Sequence, residues 1–279
     1  MGTTTAAEVR VGPAEVDLVS GLLWAAGVTA VAEEAGPDGS VVLRADVPAG
    51  GVGVLAAALG DRWAIALVEV DDGLGGWREH ARVVRAGRIV VWPPWVPLGP
   101  VGAEEVVVEI DPGPSFGHGA HPTTRLCLEA LDHLPPSGRS VLDVGCGSGV
   151  LAIAAVRLGA PHAVGVDLDP AAVEATRANA ERNGVADRIT TATALSGVDG
   201  VFDVVLANIG AAALRELAPA LVARVAPGGT LVLSGLLDPP PADLARHFAP
   251  LDLVADERTD GWTALVLARK PGRPGGGGR

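Results

Sequence analysis

Three groups of residues have the types and spacing to do chemistry together. The first is a glycine turn, Gly145-x-Gly147-x-Gly149, which follows the apolar run Val141–Val144. Glycine there allows a ligand to come close to the backbone. The second is Asp167, which ends the next apolar run, Ala163–Val166, about twenty residues past the first glycine, the usual spacing for a nucleoside-binding crevice. A carboxylate at that point can accept from both hydroxyls of a ribose. The third is Asn208, at the end of the run Val201–Leu206. An asparagine at the carboxyl end of a central strand lies in the crevice where ligands bind, and its side-chain carbonyl can accept an N–H from an amine. The competing reading of Asn208 is a turn residue bonding its own backbone.

The spacing also bears on which nucleoside. The dinucleotide fingerprint needs its third glycine one place later, where Val150 stands. This shorter spacing, with a last strand expected to run antiparallel, favours S-adenosylmethionine over NAD. Methyl transfer to an amine is an in-line displacement at carbon, so holding the amine with its lone pair aimed at the methyl is much of the catalysis. Asp169 precedes Pro170 and reads as a helix N-cap, which leaves Asp167 for the ligand. The loop Phe116–Thr124 carries Gly117, Gly119, His118, His121, Thr123 and Thr124. Either threonine could cap the following helix or donate to a ligand carboxylate. His118, His121 and Cys127 lack a fourth ligand, so no metal site is expected. Either histidine could act as a general base, although water could also take the proton. Trp77, Trp92, Trp95 and Trp262 read as packing residues.

Two kinds of element must position these groups. From Ser140 onward strands alternate with helices: strands at 140–144, 163–166, 189–192, 201–206 and 230–234, helices starting near Gly149, Pro170, Ala211 and Pro241. That order gives a mostly parallel sheet with helices on both faces. The turn Arg258-Thr259-Asp260-Gly261 joins two final strands as a hairpin, which makes the last strand antiparallel. The N-terminal part, by contrast, reads strand-helix-strand-strand-helix-strand, the order of a small ferredoxin-like α+β domain. The expected division is 1–95 for that domain, 96–110 for a proline-punctuated linker and the strand leading in, 111–270 for the ligand-binding domain, and 271–279 for a disordered glycine-rich tail.

Composition excludes several classes. The 279 residues are 48% hydrophobic and 19% charged, enough for folded cores. Formal net charge is -12 and neither half of the chain is basic, so direct nucleic-acid binding is not expected and a protein partner would be basic. The 2 cysteines suit a reducing cytoplasm rather than a disulfide scaffold. No signal peptide is apparent, and no run reaches the roughly 20 apolar residues that cross a bilayer.

Taken together, Asp111-Pro112-Gly113-x-x-Phe116-Gly117-x-Gly119-x-His121-Pro122-Thr123-Thr124, Asp143-x-Gly145-Cys146-Gly147-Ser148-Gly149 and Ala207-Asn208-Ile209 resemble the ribosomal protein L11 methyltransferase family. Asn179-Ala180-Glu181-Arg182-Asn183-Gly184 and Gly261-Trp262-x-Ala264-Leu265-Val266-Leu267 are also similar. The resemblance implies a class I (Rossmann-like) methyltransferase domain behind a substrate-recognition domain. It implies an S-adenosylmethionine-dependent enzyme that methylates lysine side-chain and N-terminal amines of ribosomal protein L11. It also implies cofactor contacts from Thr124, Gly145, Asp167 and Asn208, with Gly147 in the same turn and Asn208 beside the acceptor amine. Two alternatives remain at this point. One is the same chemistry on another protein or a small amine, and the other is a cofactor-binding scaffold without turnover.

Overall fold

Alternating buried and exposed positions pair the first seventy residues into a four-stranded antiparallel sheet. A computed structural model describes residues 3–28, 31–36, 38–48, 50–71, 81–111, 119–134 and 136–271. The strands are β1 (Thr3–Val11), β2 (Val31–Ala35), β3 (Val41–Asp46) and β4 (Ile65–Asp71), in the order β2-β3-β1-β4. Helices α1 (Val16–Ala25) and α2 (Val52–Leu59) separate them. Val16, Val19, Leu23, Leu55 and Leu59 from the helices bury against Ala7, Val9, Val11, Leu43 and Ala45 on one face. Because strand side chains alternate, Glu8 and Arg44 point to the other face, where they stand opposite each other and form an ion pair at 2.6 Å. The ferredoxin-like order is therefore present.

The chain divides into two compact units, 1–80 and 81–279. The sequence reading set the first boundary at 95, and packing explains the difference. Strands β5 (Val84–Ala86) and β6 (Ile89–Trp92) join β7 (Val106–Glu109) in a three-stranded sheet. Their Val84, Ile89, Val91 and Val108 are buried in the core of the second unit. The proline-rich stretch after β6 is thus a connection inside that unit. β6 and β7 run parallel, which requires a long crossover between them. The Trp92 Nε1–H donates to the Val96 carbonyl at 2.7 Å and holds the start of that crossover. Trp77 and the tail from residue 272 lie outside the described residues.

The second unit is built on a seven-stranded sheet. Its strands are β8 (Val141–Val144), β9 (Ala163–Val166), β10 (Ile189–Ala192), β11 (Phe202–Asn208), β12 (Val225–Leu237), β13 (Asp252–Thr259) and β14 (Trp262–Ala268). Their order is β10-β9-β8-β11-β12-β14-β13. The first five are parallel, and β14 lies antiparallel to both of its neighbours, as the hairpin at Asp260-Gly261 requires. This is the class I methyltransferase architecture. Val204 and Leu206 face a core shared with helices α3 (Pro122–His133), α4 (Val150–Arg157) and α5 (Pro170–Arg182). Val205 and Ala207, one step out of phase, face a second core closed by α6 (Ala211–Arg224). Burial on both faces is why these strands read as unbroken apolar runs. The helix expected near Pro241 is only a 3₁₀ stretch, Leu244–Phe248. Pro250 disfavours the helical region for Ala249, which sits at ψ 140, so the turn cannot propagate.

Candidate functional site

The sheet order reverses at β8: β9 and β10 extend it to one side, while β11 opens the other. In such sheets the crevice outside the carboxyl ends of the strands at that switch point is the ligand site. Gly145–Gly149 follows β8, Asp167 follows β9, and Asn208 ends β11. The structure therefore brings the three groups singled out in the sequence to one edge of the sheet.

The glycine turn is fixed by hydrogen bonds across that edge. The N–H groups of Gly145 and Cys146 both donate to the Val166 carbonyl, at 2.8 and 3.0 Å. Gly145 sits at φ +78, and a Cβ there would lie 2.4 Å from Ile209 Cγ2. Gly235 from β12 presses on the same residue from the other side. With φ +82, its Cβ would meet the Ile209 carbonyl oxygen at 2.4 Å. These two glycines let three strands close around the peptide that follows Asn208. The turn is also held from below: the Thr176 hydroxyl donates to the Gly147 carbonyl at 3.0 Å and lies 3.3 Å from Cys146 Sγ.

Asp167 uses both oxygens. Oδ2 accepts from Gly147 N–H at 2.9 Å, and Oδ1 accepts from Asp169 N–H at 3.0 Å. Each carboxylate oxygen has a second acceptor direction, so both can still take a hydroxyl. Asp169 accepts from Ala171 N–H at 2.8 Å and caps α5, as its place before Pro170 implies.

Thr124 and Asn208 meet directly. Thr124 is buried, 1% exposed, in the first turn of α3, and the Asn208 Nδ2–H donates to its Oγ1 at 3.4 Å. That orientation leaves Asn208 Oδ1 for an incoming N–H. Neither threonine takes the cap of α3, one of the two roles open to them. His121 is the N-cap, and its Nδ1 accepts from Thr123 N–H at 3.3 Å and lies 2.7 Å from the Thr123 hydroxyl. Its ring meets Trp262 edge-on at 4.9 Å. His121 is committed to the helix end, and His118 lies outside the described residues. Cys127 faces the core, and burial pushes its thiol up to about 12; burial raises the Cys146 thiol as well. Neither is a thiolate at neutral pH.

Asp143 is the residue whose role the sequence reading missed. It is fully buried at the third position of β8, directly beneath the turn. Oδ2 accepts from Ala152 N–H at 3.2 Å, which serves the start of α4, because the N-cap Gly149 has no side chain to do so. Oδ1 has no hydrogen-bond partner among the described residues. Burial, opposed by the Ala152 hydrogen bond and reinforced by the charge of Asp167, raises its carboxyl to about 7. The folded state therefore holds this proton more tightly than the unfolded chain. The stability this gives is full below about pH 4, falls as pH rises toward 7 and is flat above. The whole fall is about 4 kcal/mol. Asp143→Asn is expected to remove most of that slope. The check is the melting midpoint at pH 5 and pH 8 for both proteins, and equal slopes would refute the assignment.

The family model described as ribosomal protein L11 methyltransferase matches residues 61–270. The chain belongs to the ribosomal protein L11 methyltransferase family. A relative with that name from Geobacter sulfurreducens is 48% identical over 205 residues, which is 72% of this chain and 68% of the relative. One from Vibrio campbellii is 47% identical over 174 residues, 62% of this chain and 58% of the relative. A crystal structure described as ribosomal protein L11 methylase from Lactobacillus delbrueckii subsp. bulgaricus superposes with a TM-score of 0.62 at 30% identity. It covers 67% of this chain and 98% of that chain. Family, fold and crevice together make this protein an S-adenosylmethionine-dependent methyltransferase. The residues present suit that cofactor: a carboxylate with free acceptor directions for ribose, glycines that open the turn, and a paired hydroxyl and amide at the far side.

Proposed function

We propose that this methyltransferase transfers methyl groups from S-adenosylmethionine to lysine side-chain and N-terminal amines of ribosomal protein L11. The observation that carries the reading is the convergence of Gly145, Asp167, Thr124 and Asn208 on the switch point of the sheet. The name shared by the matching relatives supports the target. When bound, S-adenosylmethionine supplies a methyl carbon activated by its sulfonium.

In this reading the chain contributes positions rather than a reactive group. Asp167 accepts the ribose hydroxyls, and the Gly145 and Gly147 backbone lines the nucleoside. Leu168, which follows Asp167 and is 85% exposed, offers an apolar face to the base. An open hollow beyond the end of β10, lined by Val173, Thr191, Thr193 and Ser196, continues that side of the crevice. The Thr124 hydroxyl holds Asn208 by its Nδ2–H. Asn208 Oδ1 accepts one N–H of the neutral amine and turns the lone pair toward the methyl. The amine so held would take the methyl in line, with the thioether sulfur as leaving group and the amine proton passing to water.

The ferredoxin-like unit recognises the protein target in this scheme, and the net charge of -12 suits a basic one. No direct nucleic-acid contact is part of it. No helix among the described residues is long and apolar enough to cross a membrane, and the enzyme is proposed to work in the cytoplasm. The test is incubation of the full chain with labelled S-adenosylmethionine and a mixture of ribosomal proteins, followed by intact-mass spectrometry. Methyl increments on protein L11 are expected. Label on other proteins with none on L11 would reject the target.

A further inference from the structure

Asn179 in helix α5 and Asn183 at its C-cap stand four residues apart, and their side chains pair with the backbone at the end of β7 and two residues beyond it. Asn183 Oδ1 accepts from Glu109 N–H at 2.9 Å, and its Nδ2–H donates to the Glu109 carbonyl at 2.7 Å. Asn179 repeats the pattern on Asp111. Its Oδ1 accepts from the N–H at 3.0 Å, and its Nδ2–H donates to the carbonyl at 2.9 Å. The spacings match. Four residues of helix rise about 6 Å, and two residues of strand rise about 6.6 Å. The N–H groups of Val106 and Ile110 point the other way, to the carbonyls of Arg88 and Trp92. The two amides therefore take the opposite edge of β7 and of the residues just past it.

Asn179 does one thing more. It is fully buried, and its second Nδ2–H donates to the Ser148 carbonyl at 2.9 Å. One amide thus joins the glycine turn to the backbone of Asp111. The Asn183 Nδ2–H donates instead to the Asn179 carbonyl at 2.7 Å, and among the described residues Asn183 makes no hydrogen bond to the glycine turn. We infer that Asn179 is a positioning residue for the cofactor, setting the glycine turn against the backbone at Asp111. This inference rests on the functional reading above, with Gly145 and Gly147 as cofactor contacts.

The paired variants Asn179→Ala and Asn183→Ala separate positioning from mere packing. Each loses a strand-edge pair, so both are expected to melt at lower temperature. Calorimetric titration of the full chain with S-adenosylmethionine, well below both midpoints, provides the discriminating readout. Asn179→Ala is expected to weaken cofactor binding about tenfold or more, with turnover at saturating cofactor within about threefold of the parent. Asn183→Ala is expected to leave affinity within about twofold. Asn179→Asp keeps the acceptor but turns a carboxylate toward two carbonyls, so it should bind no better than the alanine variant. If Asn179→Ala does not fold, Asn179→Ser, which keeps one donor, takes its place in the same comparison. Equal affinity changes at 179 and 183, or none at 179, would overturn the inference. A parent chain that gives no binding heat would remove the functional reading itself, and this one with it.

Discussion

Replacing Asn208 with alanine is expected to lower methyl transfer by at least about 100-fold while leaving the fold in place. The strand tolerates the change because β11 is held by its backbone: Asn208 pairs with Ser234 through main-chain register, and Ala207 beside it already buries a methyl. The loss is expected in turnover because, in the proposed mechanism, the side chain acts when the amine arrives. Thr124 fixes the amide from one side, so Oδ1 is presented rather than free to rotate. Without it the amine still enters but samples orientations in which its lone pair misses the methyl, and misplacement by about 1 Å costs about 100-fold. Cofactor affinity should fall by about tenfold or less, since Asp167 and the glycine turn are untouched. Asn208→Asp makes a stricter control. A carboxylate there accepts N–H bonds equally well, but it also stabilises the alkylammonium, which has no lone pair to give. It should therefore fail at neutral pH and recover partly as pH rises. Steady-state turnover with circular dichroism as the fold check decides the matter. An alanine variant working at more than about a tenth of the parent rate would remove Asn208 from the mechanism.

Much of this site was legible in the sequence because its signals are local or periodic. The glycine turn, the acid after the next strand and the asparagine at the end of β11 each stand beside the apolar run that positions them, and the fold only had to bring three strand ends to one edge. The antiparallel last strand was legible for the same reason, since Asp260-Gly261 forces a hairpin. What escaped was set by pairing across long stretches of chain. Asn179 and Asn183 stand in the sequence only as part of a family-like stretch, and their partners Asp111 and Glu109 are 68 and 74 residues away. Asp143 looks like one more strand residue until α4 is seen to start from a glycine that cannot cap it. The threonines after Pro122 are good caps by type. His121 takes the position because its ring also packs against Trp262, a contact with no local signature. The boundary moved from 95 to 80 because β6 pairs with β7 across the prolines that looked like a linker.

Asp167→Ala should give the complementary result, a loss in affinity rather than in rate. Its carboxylate has two roles that could each explain its place. One is structural: it staples the glycine turn to the start of α5 through Gly147 and Asp169. The other is the grip on ribose. A charged acceptor to two hydroxyls contributes about 1.5–3 kcal/mol for each hydrogen bond, so losing both predicts an affinity drop of about 100-fold to 10,000-fold. Losing the staple alone predicts a lower melting point and a small change in affinity, because the turn is also held by the Val166 carbonyl and by Thr176. Asp169→Ala is the matched control. It removes the α5 cap, worth about 1 kcal/mol, yet keeps the backbone N–H that Asp167 receives. Both variants should melt earlier, and only Asp167→Ala should need far more S-adenosylmethionine to reach half-saturation. Once saturated, it should turn over within a few-fold of the parent, because the ribose contact is the same before and during methyl transfer. Titration calorimetry and cofactor-dependence of the rate measure the two quantities separately. An Asp167→Ala protein with parental affinity would leave the carboxylate as a staple and move the ribose elsewhere in the crevice.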